Sequence, residues 1–273
     1  MAINVLPDYC SLGFIGPGKM AESIARGVVK SGILPANRIC TASHRNKTRE
    51  DVFQSFGVNI VENNKQVVKN STIIFISVKP QIVKKVLVEL KDDLNDKILV
   101  SIAAGIKLKD LQELSGHDRF IRVMPNTPSA VGEAASVMAR GDGLEEKDVK
   151  YVSDILGAVG KIWEIEEKYF DAVTGLSGSG PAYIYLAIEA MADGAVAAGL
   201  TRDLALNLAS QTVLGAATMA TQSGKHPGQL KDDVTSPAGT TIAGVHELEK
   251  GGFRGILMNA VCAAANRSRE LSS

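Results

Sequence analysis

One stretch constrains this chain more than any other: Cys10 to Ala21, CSLGFIGPGKMA, where a short apolar run breaks into glycines and then into helix-like sequence. It reads as strand, tight turn, helix. Gly16, Gly18 and Ala21 stand at the spacing G-x-G-x-x-G/A of a dinucleotide-binding turn. That turn needs small residues to bend tightly, to let a pyrophosphate approach the backbone, and to pack helix on strand. Backbone N–H groups at the start of a predicted helix from Pro17 to Ser31 would face the phosphates, and the helix dipole favours their charge. The bare triplet also fits an ordinary strand-to-helix turn, so its weight depends on what surrounds it.

What surrounds it is a rhythm. β-branched apolar runs at Arg38 to Ser43, Val58 to Val61, Thr72 to Val78, Lys97 to Ala103 and Phe120 to Met124 alternate with helix-like segments, which predicts a parallel sheet. Runs such as TIIFISV and KILVSIAA are apolar on both faces, as strands covered by helices on each side must be. Pro80 suits the first turn of a crossover helix, and Lys107 to Ser115 reads as another. Ala134 to Arg140 and Lys161 to Ile165 are predicted strands toward the sheet edge, flanking a helix from Glu145 to Ala158.

After Glu166 the strand-like runs stop, and Ala, Gly and Leu recur at helical spacing. Helices are predicted at Pro181 to Gly199, capped by Ser179 and Gly180, and at Asp203 to Ser223. Ala182 to Leu200 is apolar nearly all round except for Glu189 and Asp193, so more than one partner must cover it. Two acids at mid-stretch argue against a membrane span and for a subunit interface; the pair itself reads as structural or solvated. The 273 residues exceed one typical domain. The expected organisation is two domains, 1–166 and 167–273.

At the end of the second predicted strand, Thr41 to Lys47 reads TASHRNK. The acid that would hold a ribose 2′-hydroxyl in an NAD enzyme is missing there. Ser43, His44, Arg45 and Lys47 offer donors that suit a 2′-phosphate, so NADPH is the expected cofactor and NADH a weaker alternative. With 30 basic and 30 acidic residues the chain has no net field to draw nucleic acid or anionic lipid. Cys10, Cys40 and Cys262 lack metal-ligand or disulfide spacing and are expected to be buried apolar side chains in a reducing compartment. Met1 to Tyr9 carries no basic cluster, so a cytoplasmic protein is expected. His117 and His246 are isolated, and no metal site is predicted.

A second informative stretch, His226 to Lys250, reads as a polar loop broken by proline and glycine that leads into a helix. Gly239, Thr240 and Thr241 at that helix start would offer amides and two hydroxyls to a substrate carboxylate, although plain capping by Thr fits equally well.

GFIGPGKMA, SVKP (Ser77 to Pro80), MPNTP (Met124 to Pro128), DAVTGLSGSGPAY (Asp171 to Tyr183), HPGQLKD and VTSPAGTTIAGVHELE together resemble pyrroline-5-carboxylate reductase, which catalyses the last step of proline biosynthesis. The resemblance runs over nearly the whole chain. It implies an α/β protein, an N-terminal Rossmann-type doubly wound, mostly parallel sheet followed by an all-α C-terminal dimerisation domain. It also implies dimers that assemble into a decamer, a pentamer of dimers. By motif, Ile15, Gly16, Pro17, Gly18, Lys19 and Met20 would hold the pyrophosphate, and Ser43 and Asn64 the adenosine half. Ser77, Val78, Lys79 and Pro80 with Ile102, Ala103 and Ala104 would line the nicotinamide side. The substrate carboxylate would go to Gly239, Thr240 and Thr241, with Glu167 near the substrate and Thr241 as catalytic orienter of the ring nitrogen. Ala238 replaces the first glycine of a more usual S-P-G-G, and Asp233 stands where some relatives carry an uncharged amide. A 3-hydroxyacid dehydrogenase would share the architecture but should carry a lysine on the central helix, and Pro181 to Gly199 has none. A non-catalytic NADP-sensing module would have no use for the TSPAGTT loop.

Overall fold

The computed structural model describes residues 5–44 and 46–271. Their packing separates into two compact units, one made of the described residues up to 178 together with 264–271, the other of 179–263.

The first unit is built on eight strands in the order β3-β2-β1-β4-β5-β6-β7-β8. They are β1 (Leu12–Ile15), β2 (Ile39–Ala42), β3 (Asn59–Val61), β4 (Ile73–Ile76), β5 (Ile98–Ser101), β6 (Phe120–Met124), β7 (Ala134–Arg140) and β8 (Gly160–Glu164). All neighbours run parallel except β6 and β7. Winding leaves β1 in one direction toward β2 and β3, and in the other toward β4. The order therefore reverses between β1 and β4, where a crevice opens beyond the carboxyl ends of the strands.

Period-two alternation divides the sheet's side chains between two cores. Leu12, Phe14, Ile73, Phe75, Ile98, Val100, Ile121 and Val123 pack with α1 (Lys19–Lys30) on one face. Ile15, Ile74, Ile76, Leu99 and Phe120 pack on the other, with α3 (Asn64–Lys69), α4 (Pro80–Leu90) and α5 (Leu108–Ser115). Helix α2 (Lys47–Gln54), whose N-cap Asn46 accepts from the Thr48 amide, lies outside the pattern read from the sequence; the helix expected at 145–158 is α6 (Glu146–Gly157), started by a reciprocal cap between Glu145 and Asp148. Helix α1 begins two residues later than the pattern predicts. Gly16 and Gly18 hold the chain in a turn, closed by a Gly18 N–H to Gly16 C=O bond of 2.9 Å, before helical bonding starts.

Residues just past 166 pack with the sheet. Phe170, in the short α7 (Phe170–Val173), is buried against Val137 and Ala139, and the Asn126 amide donates to the Ser177 carbonyl at 3.1 Å. A π-helical turn, Thr174–Gly178, then leads out. Ser179 adopts helical dihedrals and makes no capping bond, contrary to the role its position predicts.

The second unit comprises α8 (Gly180–Ala197), α9 (Arg202–Gln222), α10 (Pro227–Asp233), α11 (Thr240–Lys250) and the start of α12 (Phe253–Leu271). Helix α10 occupies what the sequence suggests is loop. Pro227 sits in its first turn, where a missing N–H costs nothing, and the His226 Nδ1 accepts from the Gly228 amide at 3.1 Å. The core between α8 and α9 is formed by Ala192, Ala205 and Ala209. Leu186, Leu214, Met219, Ile256 and Met258 are exposed instead. Cys262 is exposed on α12 rather than buried, because that face of the helix is open; Cys10 and Cys40 are buried. Asp193 of the expected acid pair bonds Arg202.

An apolar surface of this extent is what a subunit interface covers. In light scattering at micromolar concentration the chain should therefore appear as a dimer or larger. A persistent single-subunit mass without aggregation would show that these helices need no partner.

Candidate functional site

The crevice at the reversal point is a cleft of about 620 Å³. Its floor is the turn after β1. Gly16 has φ of 104°, a conformation L side chains rarely adopt, and a Cβ there would lie 2.8 Å from Val78 and 2.9 Å from the Ser77 carbonyl. Gly18 is the N-cap of α1 and Ala21 is fully buried beneath it. The amides of Lys19, Met20 and Ala21 precede the first α-helical acceptor and have no partner within the helix. They form an anion-binding end, with Gly16, Pro17, Gly18 and Lys19 lining the cleft.

Ser77, just past β4, holds this turn. Its amide donates to the Ile15 carbonyl at 2.9 Å, and its hydroxyl lies 3.1 Å from the Ile15 carbonyl and 2.8 Å from that of Gly16. Val78 and Lys79 continue the wall, and Pro80 opens α4. Met20 is clamped from outside the cleft by the buried Ser129, whose hydroxyl contacts the thioether sulfur at 3.3 Å. Ile102, Ala103 and Ala104 follow β5, where the Ile102 amide bonds the Ile76 carbonyl at 3.2 Å. Ile15 is wholly buried at the end of β1 and contributes backbone alone. Asn64, the first residue of α3, lines the cleft near the end of β3.

At the far rim, Ser43 and His44 reach the cleft, whereas Arg45 lies outside the described residues. The hydroxyl of Ser43 donates at 2.6 Å to Glu50, in the first turns of α2; the His44 amide donates at 2.7 Å to the same oxygen; Lys47 donates at 3.1 Å to the other. These bonds, from Ser43 first, hold the Glu50 carboxyl down at about 2. The His44 Nδ1 accepts from the Asn46 amide at 3.1 Å, which leaves Nε2 to carry the ring proton. Glu50 escapes a reading of the sequence because it sits a helical turn past the loop and reaches back to it.

Arg49, also absent from the sequence-based site, lines the cleft. It donates to the Pro17 carbonyl at 2.8 Å and pairs with Glu22 at 3.0 Å, while its other terminal nitrogen is buried without a hydrogen-bond partner among the described residues. Its charge thus stands against the glycine turn. Glu167 is engaged within the first unit: its Oε1 accepts from the Leu108 amide at 2.6 Å and from Arg122 at 2.7 Å, with the Arg122 guanidinium 4.5 Å from the Phe170 ring centre.

In the second unit, Gly239 is the N-cap of α11, with Thr240 and Thr241 as its first two residues. No side chain caps this end, so its leading amides are open to an anion. Ala238 precedes it at φ of 56°. Glycine adopts that left-handed conformation freely, whereas alanine does so at a cost. The Asp233 carboxylate is occupied by Lys225 and Gln229, each at 2.8 Å, and these bonds lower its pKa. Among the described residues there is no group of three or more His, Cys, Asp or Glu able to hold a metal ion, and no helix is long and apolar enough to cross a membrane.

The family model for pyrroline-5-carboxylate reductase dimerisation matches residues 167–271, and that for NADP oxidoreductase, coenzyme F420-dependent, matches 11–105. The chain is 72% identical to the pyrroline-5-carboxylate reductase of Arabidopsis thaliana over 99% of each chain. It is 47% identical to that of Methanosarcina acetivorans over 95% of this chain and 97% of the relative. Among solved structures, the pyrroline-5-carboxylate reductase of Coxiella burnetii superposes with a TM-score of 0.91 at 36% identity, covering 97% of this chain and all of that one. The Plasmodium falciparum pyrroline carboxylate reductase with NADP bound gives 0.86 at 37%, covering 97% and 99%.

Replacing Ala238 by glycine should relieve the left-handed strain, offset in part by a looser unfolded chain. Ala238→Gly is expected to raise stability by about 0.5–1 kcal/mol in urea denaturation. A loss of stability would mean that the Ala238 methyl makes contacts worth more than the strain.

Proposed function

The chain belongs to the pyrroline-5-carboxylate reductase family, and from that membership we infer how its residues divide the work of reducing 1-pyrroline-5-carboxylate to L-proline. It is an oxidoreductase acting on a cyclic C=N bond with a nicotinamide cofactor, and it works as a homo-oligomer. The single observation that carries the assignment of residues is the Gly16 turn at the reversal point, with unpaired amides at the start of α1 and a cleft above it. That cradle fits a pyrophosphate, and a Cβ at Gly16 would collide with Val78 and the Ser77 carbonyl that wall it.

Ile15 to Met20 hold the pyrophosphate in this reading, Ser43, His44, Arg45 and Asn64 the adenosine half, and Ser77 to Pro80 with Ile102 to Ala104 the nicotinamide side. When bound, the nicotinamide supplies the hydride. A protonated cyclic imine accepts hydride readily, so the chain needs no nucleophile of its own; its residues bind, orient and exclude water. The open amides of α11 at Gly239, Thr240 and Thr241 take the substrate carboxylate. The Thr241 hydroxyl orients the ring nitrogen and holds its proton in place. Glu167, tied to Arg122 and Leu108, supports the substrate side.

NADPH is the preferred cofactor in this proposal, supported by the imidazole of His44 and the guanidinium of Arg45 in the turn after β2 and by the absence of an acid at the end of that strand. We assign 1–166 to cofactor binding and 167–273 to substrate binding and oligomerisation, a division that the dimerisation match at 167–271 supports. The assembly is a decamer, a pentamer of dimers, and the compartment the cytoplasm, in keeping with three unbridged cysteines.

Incubation with NADPH and 1-pyrroline-5-carboxylate tests the activity directly. Arg45→Ala should raise the NADPH KM selectively, about tenfold if the lost contact is charge-assisted, and equal losses for NADPH and NADH would sink the 2′-phosphate assignment. Thr241→Ala removes a hydroxyl and keeps the backbone amides. Its kcat should fall more than its substrate KM rises, and Thr241→Ser should recover much of the activity. A variant that loses only about 1 kcal/mol of stability, with turnover per folded subunit intact, would make Thr241 a structural residue.

A further inference from the structure

The rim of the cofactor cleft places a buried carboxylate behind the groups that would meet the cofactor's 2′ position. Glu50 has its side chain about 10% exposed, and its two oxygens are engaged by Ser43, the His44 amide and Lys47. A hydroxyl has one proton to donate. With that proton committed to Glu50 at 2.6 Å, the Ser43 oxygen turns lone pairs toward the cleft. An oxygen of that kind accepts well from a ribose 2′-hydroxyl and poorly tolerates a phosphate oxygen, which is itself an acceptor. Lys47 points its charge at the same carboxylate and is not among the residues lining the cleft.

We propose that Glu50 is a specificity-determining positioning residue: acting through Ser43 and through its charge, it restrains preference for a 2′-phosphorylated cofactor and keeps the site open to NADH. This rests on the reading of the Ser43–Lys47 turn as the 2′ site. The acid missing from the end of β2 is thereby replaced, from the first turns of α2, by one that works at second hand. Glu50 remains ionised throughout the working pH range, because the bonds from Ser43, His44 and Lys47 hold its carboxyl at about 2. Its effect is therefore a constant one, not a pH switch.

Glu50→Gln is the decisive variant. The single oxygen that serves both Ser43 and His44 can be kept as the amide oxygen, so the turn retains its shape, while the negative charge and the Lys47 pair are lost. Steady-state kinetics with NADPH and with NADH give the ratio of the two kcat/KM values, in which the fraction of active protein cancels. The ratio of NADPH to NADH should rise about threefold to tenfold, the size expected for removing one like charge near a phosphate. A ratio that stays within about twofold of the parent, or that falls, overturns the proposal. Should Glu50→Gln fail to fold, Glu50→Ala carries the same expectation and is judged by the same ratio. Arg45→Ala, measured beside it, separates the two levels. Equal losses for both cofactors at Arg45 would remove the turn as the 2′ site, whereas a selective NADPH loss there with an unmoved ratio at Glu50 defeats this proposal alone.

Discussion

The structure of the first unit depends on how β1 ends. Gly16 takes a backbone conformation closed to L side chains, and Ser77 fastens it, with its amide on the Ile15 carbonyl and its hydroxyl near those of Ile15 and Gly16. Because β1 and β4 are the strands between which the winding reverses, this lock joins the sheet's two halves at the point where a crevice must form. It also sets where α1 starts, and so where unpaired amides accumulate. Hydrogen-bond demand and backbone conformation converge there. Glycine meets that conformation without strain, which a residue with a Cβ could not.

At the other end of the cleft the constraint is the matching of donors to acceptors. Ser43, His44 and Lys47 all turn to Glu50, and Arg49 turns to Pro17 and Glu22. The polar rim is organised from within before any ligand arrives, which reduces the ordering that binding must impose. A basic stretch such as SHRNK consequently does not act as a set of free cations. Its charge is partly neutralised by Glu50.

Much of this was legible in the sequence. The strands of the first half and their parallel pairing follow from apolar runs punctuated by turns, and the carboxyl-end positions of Ser77, Asn64 and Ala103 follow from the strands. The helix at Thr240 was foreshadowed by Gly239 and two threonines, and Ala238 was marked by its departure from a glycine-rich motif. Three things were not legible, each for a physical reason. Helix α2 is short and mostly polar, so its periodicity is faint, and Glu50 on it speaks to Ser43 through space. Helix α10 opens with a proline and a glycine, which signal a loop unless the His226 cap is known. The packing of 167–178 with the sheet turns on Phe170 and Asn126, whose partners come from β7 and from Ser177, and no local pattern announces those contacts.

The second unit follows the opposite pattern. Its own core is small, built from alanines where α8 meets α9, and the larger apolar side chains stand outside it. Alanine lets helices approach closely but buries little area per residue, so burial within one copy cannot supply most of the stability that helices of this length need. That stability must come from another copy of the chain, in keeping with the family's dimerisation match over 167–271. The start of α11, where Gly239, Thr240 and Thr241 present open amides, belongs to this unit. Its geometry is then only as firm as the interface that braces the unit. In the proposed reading, where those amides take the substrate carboxylate, oligomerisation is part of building the substrate site, because loss of the partner would loosen the helices that hold them in place.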